Sequence, residues 1–163
     1  MNLQALPEEA LKEILALTEA KKRLDLREEA YEKFMPFAHH VYENFIEGRH
    51  HRVIAEKLEA VARGELKRLI INMPPRHSKS EFASYLMPAW FLGRNPKLKI
   101  IQATHNTELA VRFGRKVRDL IDDPAYKEIF PETNLKEDNK GAGKWGTTAG
   151  AEYFAAGVGA AIT

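Results

Sequence analysis

The stretch MPPRHSKSE, residues 73–81, gathers Arg76, Lys79 and Ser80 just behind two prolines, Pro74 and Pro75. A lysine followed by a hydroxyl residue where a helix opens is a pair that suits phosphate chemistry. The ammonium reaches the β- and γ-phosphates, the hydroxyl binds Mg²⁺, and main-chain N–H groups cradle the α/β-phosphates. Laid over residues 73–80, the pattern G-x-x-x-x-G-K-[ST] finds Lys79 and Ser80 in place, with Met73 and Ser78 where glycines stand. Pro74 and Pro75 replace glycine's freedom with an extended, rigid exit from whatever precedes them. Ser78 is small enough to let main chain approach a phosphate provided its dihedrals stay helical. A solvated basic turn is the plainer reading, but it leaves the convergence of Arg76, Lys79 and Ser80 on one loop unexplained.

Such a loop needs a strand before it and a helix after it. RLIINM, residues 68–73, is a continuous apolar run of strand length, as expected for a strand buried on both faces. From Ser80 the residues Phe82, Tyr85, Leu86, Ala89 and Trp90 return at helical spacing, with a kink predicted at Pro88. LKIIQAT then reads as a second buried strand, so the periodicity predicts a βαβ unit and a parallel sheet. The helix-start dipole and free amides near Lys79 would face the anion.

Elsewhere the pattern is mainly helical. A helix is predicted from Pro7 to about Leu24, with Leu11, Ile14 and Leu15 at helical spacing, and another from DLREEAYEKF that is interrupted at Pro36. Ile54, Leu58 and Val61 share one face of a third, closed by Gly64. NTELAVRFGRKVRDLIDDP reads as a crossover helix with Leu109, Phe113, Val117 and Leu120 inward, ended by Pro124. NLKEDNKGAGK is expected as a surface loop, and WGTTAGAEYFAAGVGAAIT as a hairpin around Gly150. The apolar ending at Thr163 reads as a truncation rather than a domain end.

Composition bounds the answer. With 163 residues, 44% hydrophobic and 29% charged, the chain suits one globular core with an extended N-terminal arm. A net charge of +2 permits a nucleic-acid partner without arguing for one. Without cysteine there is neither a disulfide nor a thiolate metal site, which fits a reducing, cytoplasmic setting. No long apolar run suggests a membrane span.

Taken together, INMPPRHSKSE, PAWFLGRNP, ELAVRFGRKVRDLI, YKEIFP and WGTTAGAEYFAAGVGAAIT resemble the large subunit of tailed-bacteriophage terminases over roughly residues 30–163. That resemblance implies a three-layer α/β P-loop NTPase of the ASCE, RecA-like class: a parallel sheet core, a helical N-terminal lid, and truncation before Walker B. The division would be residues 1–65 as lid and 66–163 as partial ATPase core. It implies an ATPase that drives double-stranded DNA into a procapsid, with ATP and Mg²⁺ as cofactors. Lys79 would be the Walker A lysine, Ser80 the Mg²⁺ hydroxyl and Arg76 the loop arginine near the γ-phosphate. Pro75, Arg76, His77, Ser78, Lys79 and Ser80 would line the nucleotide. The implied partners are a small terminase subunit, a portal protein and further copies in a ring, in the host cytoplasm and without a membrane. The family's Walker B acids and carboxylate-bearing nuclease domain have no counterpart in the sequence, so the chain alone should hydrolyse ATP slowly or not at all. Another P-loop translocase or helicase-like enzyme, or a non-catalytic nucleotide-binding or assembly module, are the alternatives.

Four other features have plainer explanations. Asp122 and Asp123 tempt a Walker B reading, but Arg118 and Asp119 interrupt the apolar run before them, which suits a helix end. Adjacent histidines, His39 with His40 and His50 with His51, point to different helix faces and make a poor metal site. Arg112, Arg115 and Arg118 oppose the Leu109 stripe and could touch DNA phosphates or a neighbouring subunit, although a solvated basic face is commoner. Phe34 and Phe37 could stack on adenine but suit a core better.

Overall fold

A computed structural model of the protein describes residues 7–159. Helix α1 (Glu8–Glu32) runs through the point where two helices were expected, because nothing between Leu24 and Glu32 breaks it. Pro7 supplies its N-terminal boundary and Glu8 and Glu9 face the positive end of its dipole. Pro36 interrupts nothing either, since it lies in the first turn of α2 (Phe34–Val41), where the missing N–H would have no helical partner. Helix α3 (Arg49–Ala62) ends as expected at Gly64, whose φ of +75° is the left-handed cap. The amides of Gly64 and Glu65 close back on the carbonyls of Val61 and Ala60 at 3.0 Å each, satisfying two orphan acceptors.

The helix after the loop opens at Lys79, winds as a π-helix over Glu81–Leu86, and continues as α4 (Met87–Arg94). Pro88 cannot donate to the carbonyl four residues back and its ring crowds that carbonyl. The wide π turn lies directly before it, taking the place of the expected kink. Beyond α4 come β1 (Lys99–Thr104), α5 (Thr107–Ile121), α6 (Pro124–Ile129), β2 (Leu135–Lys140), β3 (Lys144–Thr147) and β4 (Glu152–Gly157). Asn106 caps α5 by accepting the Leu109 amide at 2.8 Å.

The expected three-layer P-loop core with a parallel sheet is not what these residues build. The sheet has the order β1, β4, β3, β2, and only β1 and β4 are parallel; β4 with β3 and β3 with β2 are antiparallel. The βαβ unit is absent because RLIINM pairs with no strand among the described residues, although its side chains alternate between exposed and part-buried as a strand's would. The β1 strand, predicted as buried on both faces, is an edge strand: Ile101 is 62% exposed, and its neighbours Ile100 and Gln102 turn the other way. Polar LKEDNK, expected as a loop, is β2 instead, paired to β3 with an irregular register. The hairpin around Gly150 is present as β3 and β4, with Gly150 at φ +104° in the turn.

The core joins the helical segment to the rest. Phe34, Phe37, Leu58, Phe82 and Trp90 are fully or almost fully buried in one apolar cluster with Val117 and Tyr126. Phe34 meets Phe82 and Trp90 edge-on at 5.3 and 5.5 Å, so Phe34 and Phe37 are packing residues, not a stacking platform. Two polar groups buried with these rings are paired: Trp90 Nε1 donates to Ala30 O at 3.1 Å and Tyr126 Oη to Ala89 O at 2.9 Å. On the sheet, Trp145 stacks on Tyr153 at 4.7 Å and donates to Gly114 O. Among the described residues no helix is long and apolar enough to cross a membrane.

Candidate functional site

Residues 73–81 form a shallow concavity of about 440 Å³ at the start of the helix that opens at Lys79. Its main chain is unusual. Arg76 has φ +64° and Ser78 φ +58°, while His77 between them does not lie at positive φ, and Ser80 is right-handed at φ −72°, ψ −33°. The condition attached to Ser78, that its dihedrals stay helical, is therefore not met. Left-handed conformations cost L-residues roughly 1–2 kcal/mol each, and two within three positions mark a segment held against its own preference. Left-handed residues within a turn are what aim successive N–H groups toward one side and make an anion-binding nest. Glycine at Ser78 would provide the same shape without the strain.

The donors left open agree with that shape. The first amide bonded along the helix is that of Phe82, to Ser78 O at 2.9 Å. The amides of Lys79, Ser80 and Glu81 have no main-chain partner among the described residues. Lys79 folds back over the loop, its ammonium donating to Met73 O at a long 3.5 Å. Neither Lys79 nor Arg76 has a carboxylate partner among the described residues. Pro75 O and the His77 ring nitrogen Nδ1 lie 2.9 Å apart, bracing the turn. All six expected residues, from Pro75 to Ser80, thus line one concavity.

Two neighbours shape its electrostatics. Glu81 would repel an anion, but Lys116 on α5 holds it at 3.1 and 3.2 Å and also sits over the Tyr85 ring at 5.0 Å. Burial, with Glu81 nearby, pushes the Tyr85 phenol up to about 12. His50 on α3 meets the His77 ring edge-on at 5.7 Å and lies against His51 at 3.8 Å. His51 is buried between Phe45 and Phe82, its Nδ1 accepts the Gly48 amide at 2.9 Å, and burial followed by the charges of His50 and His77 holds its pKa down. These contacts connect α3 to the loop across more than twenty residues of sequence, so spacing alone offered no sign of them.

The loop suits an anion better than a bare cation. A metal would find the Ser80 hydroxyl, whereas Glu81 is committed to Lys116 and no cluster of three or more metal-ligating side chains occurs among the described residues. Mg²⁺ usually reaches such places already bound to phosphates and keeping several waters, so it fits here only with a nucleotide.

The remaining candidates separate from the loop. Asp122 ends α5 and Asp123 caps α6, accepting the Ala125 amide at 2.8 Å, as suits helix ends. His39 pairs with Glu47, which that bond and Arg52 hold below its usual range, and His40 pairs with Glu128 at 3.0 Å. Arg112 and Arg115 are exposed on α5, while Arg118 bonds Asp119 at 2.7 Å. Comparisons with protein-family models, with curated proteins and with solved structures each found no match.

Proposed function

We propose that residues 73–81 bind the polyphosphate of ATP with its Mg²⁺, and that the chain is the ATP-binding part of a DNA-packaging motor of the terminase large-subunit type. The observation that carries the first half is the loop itself: positive φ at Arg76 and Ser78 on either side of His77, open amides at Lys79, Ser80 and Glu81, and a lysine without a carboxylate. Strain of this kind is retained where a ligand repays it. Lys79 would swing from Met73 O onto the β- and γ-phosphates, Arg76 would meet the outer phosphate, and Ser80 would offer its hydroxyl to the metal. Pro75, His77 and Ser78 would supply the turn and its amides.

The second half rests on the motifs around the loop, not on the sheet, whose mixed topology differs from the core that those motifs imply. In that reading ATP turnover moves double-stranded DNA into a procapsid in the host cytoplasm, in a ring of copies meeting a small subunit and a portal. Orienting an attacking water takes a carboxylate, and the one acid among the described residues that line the concavity, Glu81, is held by Lys116. We therefore assign binding, with slow or no turnover, to this chain by itself.

Titration calorimetry with Mg-ATP tests the loop. Charge-assisted hydrogen bonds contribute about 1.5–3 kcal/mol, so Lys79→Ala should weaken binding roughly tenfold to a hundredfold. Inorganic triphosphate should compete with ATP. Equal affinity for the wild type and Lys79→Ala would remove the assignment.

A further inference from the structure

The run leading into the loop is a strand without a sheet. Along residues 68–73 the side chains alternate, Leu69, Ile71 and Met73 packed on the core and Arg68, Ile70 and Asn72 exposed, the two-residue period of an extended chain. Ile70 is 85% exposed, far more than an isoleucine in an apolar run ordinarily is. From Lys67 to Met73 no main-chain N–H or C=O finds a main-chain partner among the described residues. Beside the run lies an apolar groove of about 590 Å³, walled by Val53 and Ile54 of α3 and by Leu69, Ile71 and Met73. Arg49 and Lys57 stand in its lining, and Lys67 and Arg68 precede the run. None of these four cations forms an ion pair among the described residues.

We propose that residues 68–73 are a receiving edge for a β-strand supplied by another polypeptide, an extended apolar segment with acidic flanks. Unpaired extended main chain asks for another main chain, which alone can meet a ladder of alternating donors and acceptors. A small molecule could fill the groove but would leave that ladder open, at a cost for each group it dries. The exposed Ile70 and the groove would take alternate side chains of the incoming strand. The four unpaired cations select carboxylates beside it. They also argue against a second copy of this chain. An antiparallel self-pairing centred on Ile71 would bring Lys67 and Arg68 toward the partner copy's Arg76, and a parallel one would set like charges side by side. The inference stands apart from the nucleotide reading, although the received strand would steady the main chain that enters the loop.

The test uses the full chain and a fluorescent peptide of alternating valine and threonine with aspartates at both ends. Saturable binding is expected, together with slowed amide exchange across residues 68–73. The same peptide N-methylated at alternate amides should bind at least ~10-fold more weakly, since each lost hydrogen bond costs about 1 kcal/mol. Reversing Arg49 and Lys57 together to Glu should weaken the aspartate-flanked peptide and favour a lysine-flanked one. Both residues are exposed, so the variant should fold, and its circular dichroism checks this. Because recognition resides in the main chain, absence of saturable binding overturns the proposal. Equal binding of the N-methylated peptide, or displacement by ATP alone, overturns it too. So does dimerisation abolished by Ile70→Asp without peptide binding, which would assign the edge to a second copy.

Discussion

Replacing Ser78 by glycine should make the protein more stable, although glycine usually weakens a chain. Ser78 holds φ +58°, and its hydroxyl makes no hydrogen bond among the described residues. The left-handed conformation costs an L-residue about 1–2 kcal/mol, while glycine brings back roughly 0.5–1 kcal/mol of unfolded-chain entropy. Ser78→Gly should therefore be more stable than Ser78→Ala by about 0.5–1 kcal/mol. Alanine is the right reference because it removes the hydroxyl and keeps the strain. For a chain of this length, 1 kcal/mol moves Tm by roughly 2–4 °C, so the pair should separate by about 1–4 °C. Urea unfolding measures the same difference with an unchanged m-value. Mg-ATP affinity should be retained in Ser78→Gly, because the nest needs the handedness and not the side chain. If the glycine variant is no more stable than the alanine one, the left-handed loop is wrong, and the anion nest built on it goes as well.

Three further outcomes can be checked. Lys116→Ala should weaken Mg-ATP several-fold without lowering Tm appreciably, because it frees the Glu81 carboxylate beside the anion, and Glu81→Gln in the same chain should restore binding. Gly157→Ala should destabilise by about 1–3 kcal/mol in urea, since an added Cβ would lie 2.4 Å from the Thr107 amide nitrogen, where β4 meets the start of α5. His51 has a native pKa below its ordinary 6.5, through burial first and then the charges of His50 and His77. Its contribution is thus complete above about pH 6.5 and is lost as pH falls toward the lower native value, because the unfolded chain binds the proton first. His51→Phe should flatten the stability profile in that window.

What could be read from the chain follows how local each feature is. The α3 cap needs only Gly64 and the α5 stripe only its own period, and both are present much as the pattern implies. The loop residues were legible because their chemistry is compact, Lys79 and Ser80 being adjacent. Their main-chain shape was not, since serine gives no sign of a positive φ where glycine would. Strand pairing is the least local of all. RLIINM has the composition of a central strand and finds no partner, whereas LKEDNK, polar enough to pass for a loop, pairs with β3. Apolar runs tell which side chains prefer burial and say little about whose hydrogen bonds they will share. The approach of His50 to His77 and of Lys116 to Glu81 depends on tertiary placement and had no signature in spacing.

Helix α1 has a thermal consequence of its own. Its 25 residues reach about 37 Å, yet Ala30 is its only buried residue among those described, and Leu15, Leu17, Leu24 and Leu26 are exposed. Its anchors cluster at the far end: Ala30 O beneath Trp90, Tyr31 against Phe130, and Glu32 on Arg94. Amides near Glu8 can therefore exchange with solvent by fraying alone, a local helix–coil event with little free energy behind it. Those next to Ala30 must wait until Trp90 releases the carbonyl, which means opening the core. One continuous helix thus spans the range from a peptide's stability to that of the folded protein, rising along its length toward Glu32.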